Sequence, residues 1–598
     1  MENVSRRTAL QMGAGAVAAL VAGAAASKVA FADEAEEAAE ETVVNGTPYT
    51  KATNADEIGM IHDAATEEDF DVVVVGGGMA GFVATMIVAE QAPDATVLLV
   101  EANGYYGGGT NFAEQADMPA DGATYEEALA YGDEEAAASH YVKDGRLIAE
   151  RKYDIGRNSA WLFKKHEIPL TIFSTKKLKT ALDALEEEGT SISPWTGITV
   201  YEGGTGAQTI QRFVSLIGED ETYANVELRL NTRGSALLVA DDKYAITGIQ
   251  LLNSDGTYTN VNAKAVVLAS GGMSNNLELL QYYTSSELDH CVSVDQSHYG
   301  DGMVMCEQTA HGRCKTIALS SMMAHVDGLN FTSWLTKAAG TATMTMFVNK
   351  DGERFCNEDM TRIETDPSHP GINRCRLIEG QAVVYSIMGS NLLDYYRENG
   401  VDGMGFYGTV GDCDLDAELE AALEAGNENI FVADTVEELA DLIGVPQENL
   451  VNTVAEYDAA CEAGEDTLFG KDPSYLTAIG GAPYYAFKLK SLIVNTNGGV
   501  RVDECCRVCD QDHNPVEGLY AAGLIISGFV TELYTTGQCQ SVSIWSGSKA
   551  ARTIVEERLG GTVADDWYGD SEWDGTVDMP VIENWDEYEE YLASLEEE

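Results

Sequence analysis

Phe70-Asp71-Val72-Val73-Val74-Val75-Gly76-Gly77-Gly78-Met79-Ala80-Gly81-Phe82 decides the fold. Val72 to Val75 is an unbroken β-branched run, the composition of a strand covered on both faces in a parallel sheet. Glycines follow at Gly76, Gly78 and Gly81 in the spacing G-x-G-x-x-G, and a helical stretch runs on from Phe82 to Gln91. The first glycine permits a tight turn, the second lets backbone approach a pyrophosphate, and the third lets helix and strand pack closely. A diphosphate placed there rests on the positive end of the helix that begins near Met79. A second strand, Thr96 to Val100, ends at Glu101, 20 residues beyond Gly81. A carboxylate at that point accepts from ribose hydroxyls. Strand, turn, helix and strand within about thirty residues make a βαβ unit, and the fold class expected is α/β with a Rossmann-like dinucleotide-binding domain.

Further along, Asn225 to Gly256 reads as strands and a hairpin, with Asn253-Ser254-Asp255-Gly256 as its turn. Ala263 to Ala269 is another buried strand, closed by Ser270-Gly271-Gly272. From about 320 to 490 the chain changes character, with strands near Met344–Asn349 and acidic helices near Asp414–Glu424 and Val436–Ile443. This stretch is expected to be an inserted α+β capping domain. The first domain then resumes at Gly518-Leu519-Tyr520-Ala521-Ala522-Gly523 and closes with a helix over Ser541–Glu557. The expected division is a signal at 1–32, an acidic linker at 33–69, the dinucleotide-binding domain at 70–319 and 491–560, the cap at 320–490, and an acidic tail at 561–598. The tail carries Trp567, Trp573 and Trp585, as a packed extension or a docking element.

Ser5-Arg6-Arg7-Thr8-Ala9-Leu10, an apolar Ala/Gly run from Gln11 to Ala26, and Ala30-Phe31-Ala32 read as a twin-arginine export signal with its cleavage site. An extracytoplasmic location and a mature chain without a transmembrane segment are therefore expected. The formal net charge of −62 disfavours nucleic acid and anionic lipid as partners. That surface serves solubility or steers a basic redox partner. Cys505, Cys506 and Cys509 form the tight cluster among 11 cysteines, read as structural or incidental thiols in preference to a metal or redox site. No metal site and no C-x-x-C-H haem motif are expected.

A second glycine cluster, Gly107-Gly108-Gly109-Thr110, follows the ribose acid and suits the far phosphate and ribityl chain of a long cofactor, FAD. With it the chain resembles the flavoprotein family of soluble fumarate reductases, succinate dehydrogenase flavin subunits, urocanate reductases and ketosteroid dehydrogenases. The match spreads over about residues 70–556 and is carried by the glycine turn, Gly107 to Ala113, Asn231-Thr232-Arg233-Gly234, Ala269 to Gly272, Gly300-Asp301-Gly302, Val348 to Glu358 and Tyr520 to Gly523. The resemblance implies an FAD domain split by a cap, with substrate between cap and isoalloxazine. Around Gly76, Gly78, Gly81 and Glu101, it adds Ala80 and Ala102 to the FAD contacts. It extends them through Gly108, Gly109, Thr110 and Asn111, then Ala236, Gly271 and Asp301, and finally Gly523, Leu524, Ser541 and Val542. An acid that family members often carry after Ala-Ala-Gly is replaced by Leu524. His140 and His166 sit in no covalent-attachment motif, so non-covalent FAD is expected.

The resemblance also implies hydride transfer from reduced FAD to an activated C=C bond. The matching proton donor is Arg362, in Asn357-Glu358-Asp359-Met360-Thr361-Arg362. A purely structural role for it is an ion pair with Glu358 or Glu364 at the domain seam. The family's upstream proton relay falls on Ala338 and Thr341, and its two carboxylate-clamping cations fall on Asn495 and Tyr534. Loss of bidentate arginine pairing disfavours dicarboxylates. Tyr534, with an amide near Gly537 or Gln538, instead suits a carbonyl oxygen and the enolate that develops from it. His325 lies where the family often has a substrate-side histidine. The reading is an FAD-dependent reductase of an enone or unsaturated acid derivative, taking electrons from a separate cytochrome or flavoprotein. Three alternatives stay open: a fumarate-reductase-like enzyme for a small carboxylate, with cations such as Arg354 or Lys337; a ketosteroid-dehydrogenase-like enzyme running oxidatively; and a flavin electron-transfer protein.

Overall fold

The computed structural model describes residues 58–113, 115–116, 123–166, 168, 170–173, 199–201, 206–240, 245–284, 291–293, 298–309, 318–329, 333–340, 342, 344–358, 378, 380–401, 414–529, 537–569 and 581–582. The export signal, Arg362, Glu364 and Tyr534 lie outside these residues.

Strand β1 (Thr66–Val75) leads through the glycine turn into helix α1 (Met79–Gln91) and strand β2 (Val97–Val100). Helix α1 is buried on all sides from Met79 to Ala89. Its apolar sequence without a polar stripe suits a helix enclosed between a sheet and another helix. Helix α2 (Gly145–Ser159) follows, then β3 (Val226–Arg229), β4 (Thr232–Val239), β5 (Ile246–Asn253) and β6 (Tyr258–Leu268).

The cap contributes β7 (Cys291–Ser293), β8 (Ala318–Val326), β9 (Met346–Val348), β10 (Val384–Met388), helix α3 (Leu415–Glu424), β11 (Ile430–Ala433), helices α4 (Val436–Ile443) and α5 (Gln447–Ala463), and the long strand β12 (Tyr484–Asn497). The chain ends its globular part with β13 (Arg507–Cys509), β14 (Pro515–Ala521) and helix α6 (Gln538–Glu557).

Among the described residues the larger sheet runs β13-β14-β6-β1-β2-β3, with β5 and β4 added antiparallel beside β6. Strands β14, β6, β1, β2 and β3 are mutually parallel along that path. Val72–Val75 register with Ala265–Leu268 on one side and Val97–Val100 on the other. The chain reverses its direction of travel across the sheet at β1, and such sheets bind ligands off the carboxyl ends of the strands at that switch point. The cap sheet is built around β12, which pairs with β7, β8, β10 and β11 along successive parts of its length.

The first ordered unit begins earlier than the sequence suggests. Thr66 to Asp69, read as linker, are the first residues of β1 and pair with Thr259 to Asn262. Their polar composition hid them, because this end of the strand is solvent-wetted, not enclosed. Ile58 is also buried, and Gly59 N–H donates to Ser235 O at 2.7 Å. At the other limit, the cap sheet takes in β7 before residue 320 and follows β12 past residue 490. The start of the tail packs: Trp567 is buried against the Arg552 guanidinium, and Lys165 Nζ donates to Trp567 O at 2.9 Å. The described cysteines are free thiols, and Cys505 and Cys506 lie in a turn organised by Asp503. No described helix is long and apolar enough to cross a membrane.

Helix α2 is bonded to α6 by Arg552 to Asp154 at 2.6 Å and Lys549 to Glu150 at 2.9 Å. Burial raises the Asp154 pKa, but Arg552, Lys549 and Arg157 outweigh it and hold the carboxyl below its ordinary value. A carboxyl depressed in the folded state stabilises fully above its unfolded pKa of about 3.9 and loses that contribution as pH falls through the folded value. The melting temperature of Asp154→Asn, measured from pH 7 down to 3, should therefore start lower than wild type and converge with it at the acid end.

Candidate active site

The glycine turn stands at the carboxyl end of β1. Gly76 N–H donates to Val100 O at 2.8 Å, and Ala269 N–H to Val75 O at 2.8 Å, so the ends of β1, β2 and β6 are level. Gly76 has φ +111°, and a Cβ there would strike the Ala269 carbonyl oxygen. A Cβ on Gly81 would strike the Gly76 carbonyl oxygen. Gly78 differs: a Cβ there would meet nothing nearer than Gly107 O at 3.5 Å, so its backbone borders open space. The crowding at Gly76 and Gly81 accounts for the need for glycine in the turn and at the helix–strand contact.

Gly107 N–H donates to Gly77 O at 2.8 Å, which lays the second glycine cluster alongside the first. Gly107 takes φ +123° and Gly108 φ +49°, and Gly108–Phe112 form one short helical turn containing Gly109. Asn111 Nδ2 donates to Tyr106 O at 2.9 Å, closing the turn. Thr110 Oγ1 accepts from Met79 N at 3.2 Å and lies 3.4 Å from Gln540 Oε1 on α6. Gln540 was not singled out by sequence. Gly107 carried a signal in its glycine run, whereas Gln540 carried none.

Helix α6 closes the cradle. Gly547 passes so near α1 that a Cβ would lie 2.5 Å from Ala80 O. Gly523, with φ +82°, sits against Ala80 and donates its N–H to Ser546 Oγ at 2.8 Å. Leu524 follows in a short helical turn. Gly537 is the N-cap of α6 in the left-handed region. Ser541 Oγ accepts from the buried Arg151 at 2.6 Å, and Val542 is buried beside it.

Two helix N-termini thus border one crevice. Neither has an acid in its first turn or a capping side chain at its N-cap residue, and the one side chain met there, the Thr110 hydroxyl on Met79 N, is uncharged, so neither is already neutralised. An uncapped N-terminus directs N–H donors and the positive end of the helix dipole at an anion. With the open backbone at Gly78, this donor set fits the pyrophosphate of FAD.

Glu101 is buried and its carboxylate accepts from Gly77 N at 2.8 Å and from Asn103 N at 2.9 Å. Ala102 follows it. Burial and the neighbouring Glu101 charge push the Tyr106 phenol up to about 12, so it stays neutral beside the turn. Gly271, at φ +73°, is crowded by the His298 ring, 2.6 Å from its would-be Cβ. Ala236 is fully buried in β4, opposite Gln250. Both Asp301 oxygens are held by Arg233, at 2.5 and 2.6 Å.

The other expected residues are more scattered. His325 is buried on β8 opposite Lys490, and Asn495 pairs through its backbone with Ser320 on the same strand pair. His166 is buried with Nε2 2.9 Å from Glu90 Oε1, near the C-terminus of α1 and about 16 Å along the helix from the cradle. His140 is exposed. Arg354 is engaged by Glu358 at 2.8 Å and Asp466 at 3.0 Å. Lys337 is buried, 4.7 Å from the centre of the Trp334 ring.

The family model described as "FAD binding domain" matches residues 71–539. A vinyl phenol reductase of Lactiplantibacillus plantarum is 28% identical over 514 residues, covering 82% of this chain and 97% of that protein. A probable fumarate reductase of Shewanella frigidimarina is 26% identical over 508 residues, covering 83% of this chain and 75% of that protein. The open conformation of a flavocytochrome c3 fumarate reductase has a similar fold, with a TM-score of 0.57 at 22% identity over 82% of this chain and 79% of that one. A family model spanning most of the chain and a cradle whose donors suit the cofactor lead to one conclusion: the chain belongs to the FAD binding domain family and is an FAD-dependent oxidoreductase.

Proposed function

We propose that this protein reduces an activated C=C bond in a small neutral or weakly charged conjugated substrate, such as an enone or an unsaturated acid derivative. Bound FAD, once reduced, supplies the hydride. The observation that carries the substrate class is the commitment of two buried cations among the described residues of the cap. Arg354 is saturated by two carboxylates and Lys337 is enclosed against Trp334, so neither offers the free fork that grips a dicarboxylate. The positions that clamp carboxylates in fumarate reductases are Asn495 and Tyr534 here. The similar vinyl phenol reductase is named for a conjugated alkene without a carboxylate.

In this reading Arg362 delivers the proton to the carbon that does not receive hydride. Tyr534 and the amide at Gly537 hold the conjugating oxygen and stabilise charge that develops there. Asn495 and His325 line the substrate side. FAD is held without a covalent bond, since His166 is spent on Glu90 and His140 points to solvent. The twin-arginine motif at Arg6-Arg7 supports a reaction outside the cytoplasmic membrane, with electrons from a separate cytochrome or flavoprotein.

The test is reoxidation of the anaerobically reduced, FAD-loaded protein by fumarate, enones and vinyl phenols side by side. Conjugated neutral substrates should turn over faster than fumarate, and the reverse order would refute the substrate class. Arg362→Ala should keep FAD and lose about 10²- to 10⁴-fold in kcat, the range for a general acid. Full turnover by that variant would remove the residue from the mechanism.

A further inference from the structure

The acidic tail is tied into the fold at two places. After α6 the chain turns back over the C-terminal end of α1. Gly561 N–H donates to Val555 O at 2.9 Å, and Ala564 N–H to Gln91 Oε1 at 3.0 Å. Trp567 is 4% exposed, with the Arg552 guanidinium 4.7 Å from its ring centre, and its carbonyl accepts from Lys165 Nζ at 2.9 Å. That is the first tie. For the second, Val581–Ile582 form a strand that pairs in parallel with Ile172 and Phe173. The partner strand, Leu170–Phe173, pairs antiparallel with Thr199–Tyr201, and that one antiparallel with Gln115–Ala116. This third sheet therefore runs from the tail at one edge to Gln115–Ala116 at the other.

Gln115 stands three residues after Phe112, the end of the helical turn Gly108–Phe112 in the second glycine cluster. The same turn is braced from another side: Gly206 N–H donates to Ala113 O at 2.5 Å, and a Cβ on Gly206 would strike Thr110 O. One edge of the sheet is thus the chain that leaves the cofactor cradle, and the opposite edge is the tail. No strand in this sheet is longer than four residues. Strands so short are marginal without their neighbours. Without the tail, 170–173 would present an open row of backbone donors and acceptors. Cohesion lost there passes through 199–201 to Gln115–Ala116, and so to the exit of the cradle. The first tie assists the second, because anchoring at Trp567 shortens the length of chain the tail strand has to close, and shorter closures cost less entropy. Docking is not the use of Trp567, since Arg552 already covers its ring.

We propose that the tail is a clasp that slows release of FAD, its strand at Val581–Ile582 completing the sheet that holds the chain leaving the second glycine cluster. The inference rests on the reading of Gly107 to Ala113 as part of the FAD cradle. The clasp supplies no donor to the cofactor and touches no reacting atom. It governs how long FAD stays, and leaves the rate of reaction at bound flavin unchanged.

The experiment follows loss of flavin from the holoprotein in the presence of an excess of a flavin-scavenging apoprotein. Four FAD-loaded proteins are compared: wild type, the double variant Val581→Pro/Ile582→Pro, Gly107→Val, and Leu439→Ala, a cavity variant in the cap core around α4. Each proline removes a backbone donor from the tail strand. The double variant should release FAD about tenfold faster than wild type, the size expected when the backbone pairing of two residues is lost. Its turnover per bound flavin should match wild type. Leu439→Ala should lower the melting temperature with FAD release unchanged. Release from the double variant at the wild-type rate, or an acceleration that Leu439→Ala reproduces, overturns the proposal. If the double variant does not accumulate as folded protein, a chain ending at Asp578 replaces it, with the same expected acceleration and the same overturning result. Gly107→Val tests the underlying reading separately. Gly107 has φ +123°, and a Cβ there would collide with the Asn111 side chain, so this variant should lose FAD quickly with the tail intact. Wild-type release from Gly107→Val would bring down the cradle reading, whereas fast release there beside wild-type release from the tail variant would bring down the clasp alone.

Discussion

Gly81→Val should give a colourless protein. The obstacle is backbone, because a Cβ at Gly81 would collide with the Gly76 carbonyl oxygen, and Gly76 is itself pressed against Ala269. Neither can retreat without pulling the end of β1 away from β2 and β6, to which it is bonded. Helix α1 would be displaced from its strand and its N-terminal donors from the diphosphate. The expected loss is at least about 1,000-fold in FAD affinity, roughly 4 kcal/mol. The apoprotein should also melt earlier than wild-type apoprotein. Flavin absorbance after purification and titration with free FAD read the effect directly. Gly78→Ala provides the contrast, since its Cβ has room in the protein itself. It should keep the apoprotein's stability and still weaken FAD. A yellow Gly81→Val protein would remove the diphosphate reading altogether.

Arg354→Met should produce the largest loss of stability among single substitutions in the cap. It leaves Glu358 and Asp466 fully buried, with Lys471 as the remaining nearby cation. Burial alone would lower the Arg354 pKa, but Glu358 and Asp466 more than offset it and hold the guanidinium firmly charged. Removing one member of a buried pair costs about 3–5 kcal/mol, because the partner's desolvation is no longer compensated. For a cap of this size that is a fall of about 10 °C in melting temperature. Circular dichroism should report it, while FAD absorbance should survive until the cap melts, because the cofactor cradle belongs to a separate core. Replacing Arg354, Glu358 and Asp466 together by apolar residues should recover much of the loss, since no orphan charge remains. No recovery in the triple variant would mean that shape, not charge, governs this cluster.

How much was legible follows from how local each feature is. The run Val72–Val75, its glycines and Glu101 lie within 30 residues, and strand, turn and acid appear where the spacing put them. Helix α4 occupies the residues assigned to it, because a Thr435 cap marks its start and Gly444, in the left-handed region, marks its end. Strand β12 was hidden, since its successive neighbours come from four segments up to 200 residues upstream and no local pattern encodes them. The same holds for Arg233 with Asp301 and for Arg354 with Asp466, where the charge partner decides the role and lies 68 and 112 residues away. Gln540 looked like any polar residue at a helix start until Thr110 was brought beside it.

The contact of Gly547 with Ala80 has a consequence for biosynthesis. The phosphate-binding turn and the point where the closing helix meets it are 466 residues apart, from Gly81 to Gly547, an interval that includes the whole cap. At translation speeds of about 5–20 residues per second, the ribosome needs roughly 20–90 s to traverse that interval. The nascent chain therefore holds half a cradle throughout that interval, and the cofactor site is complete only after helix α6 has emerged.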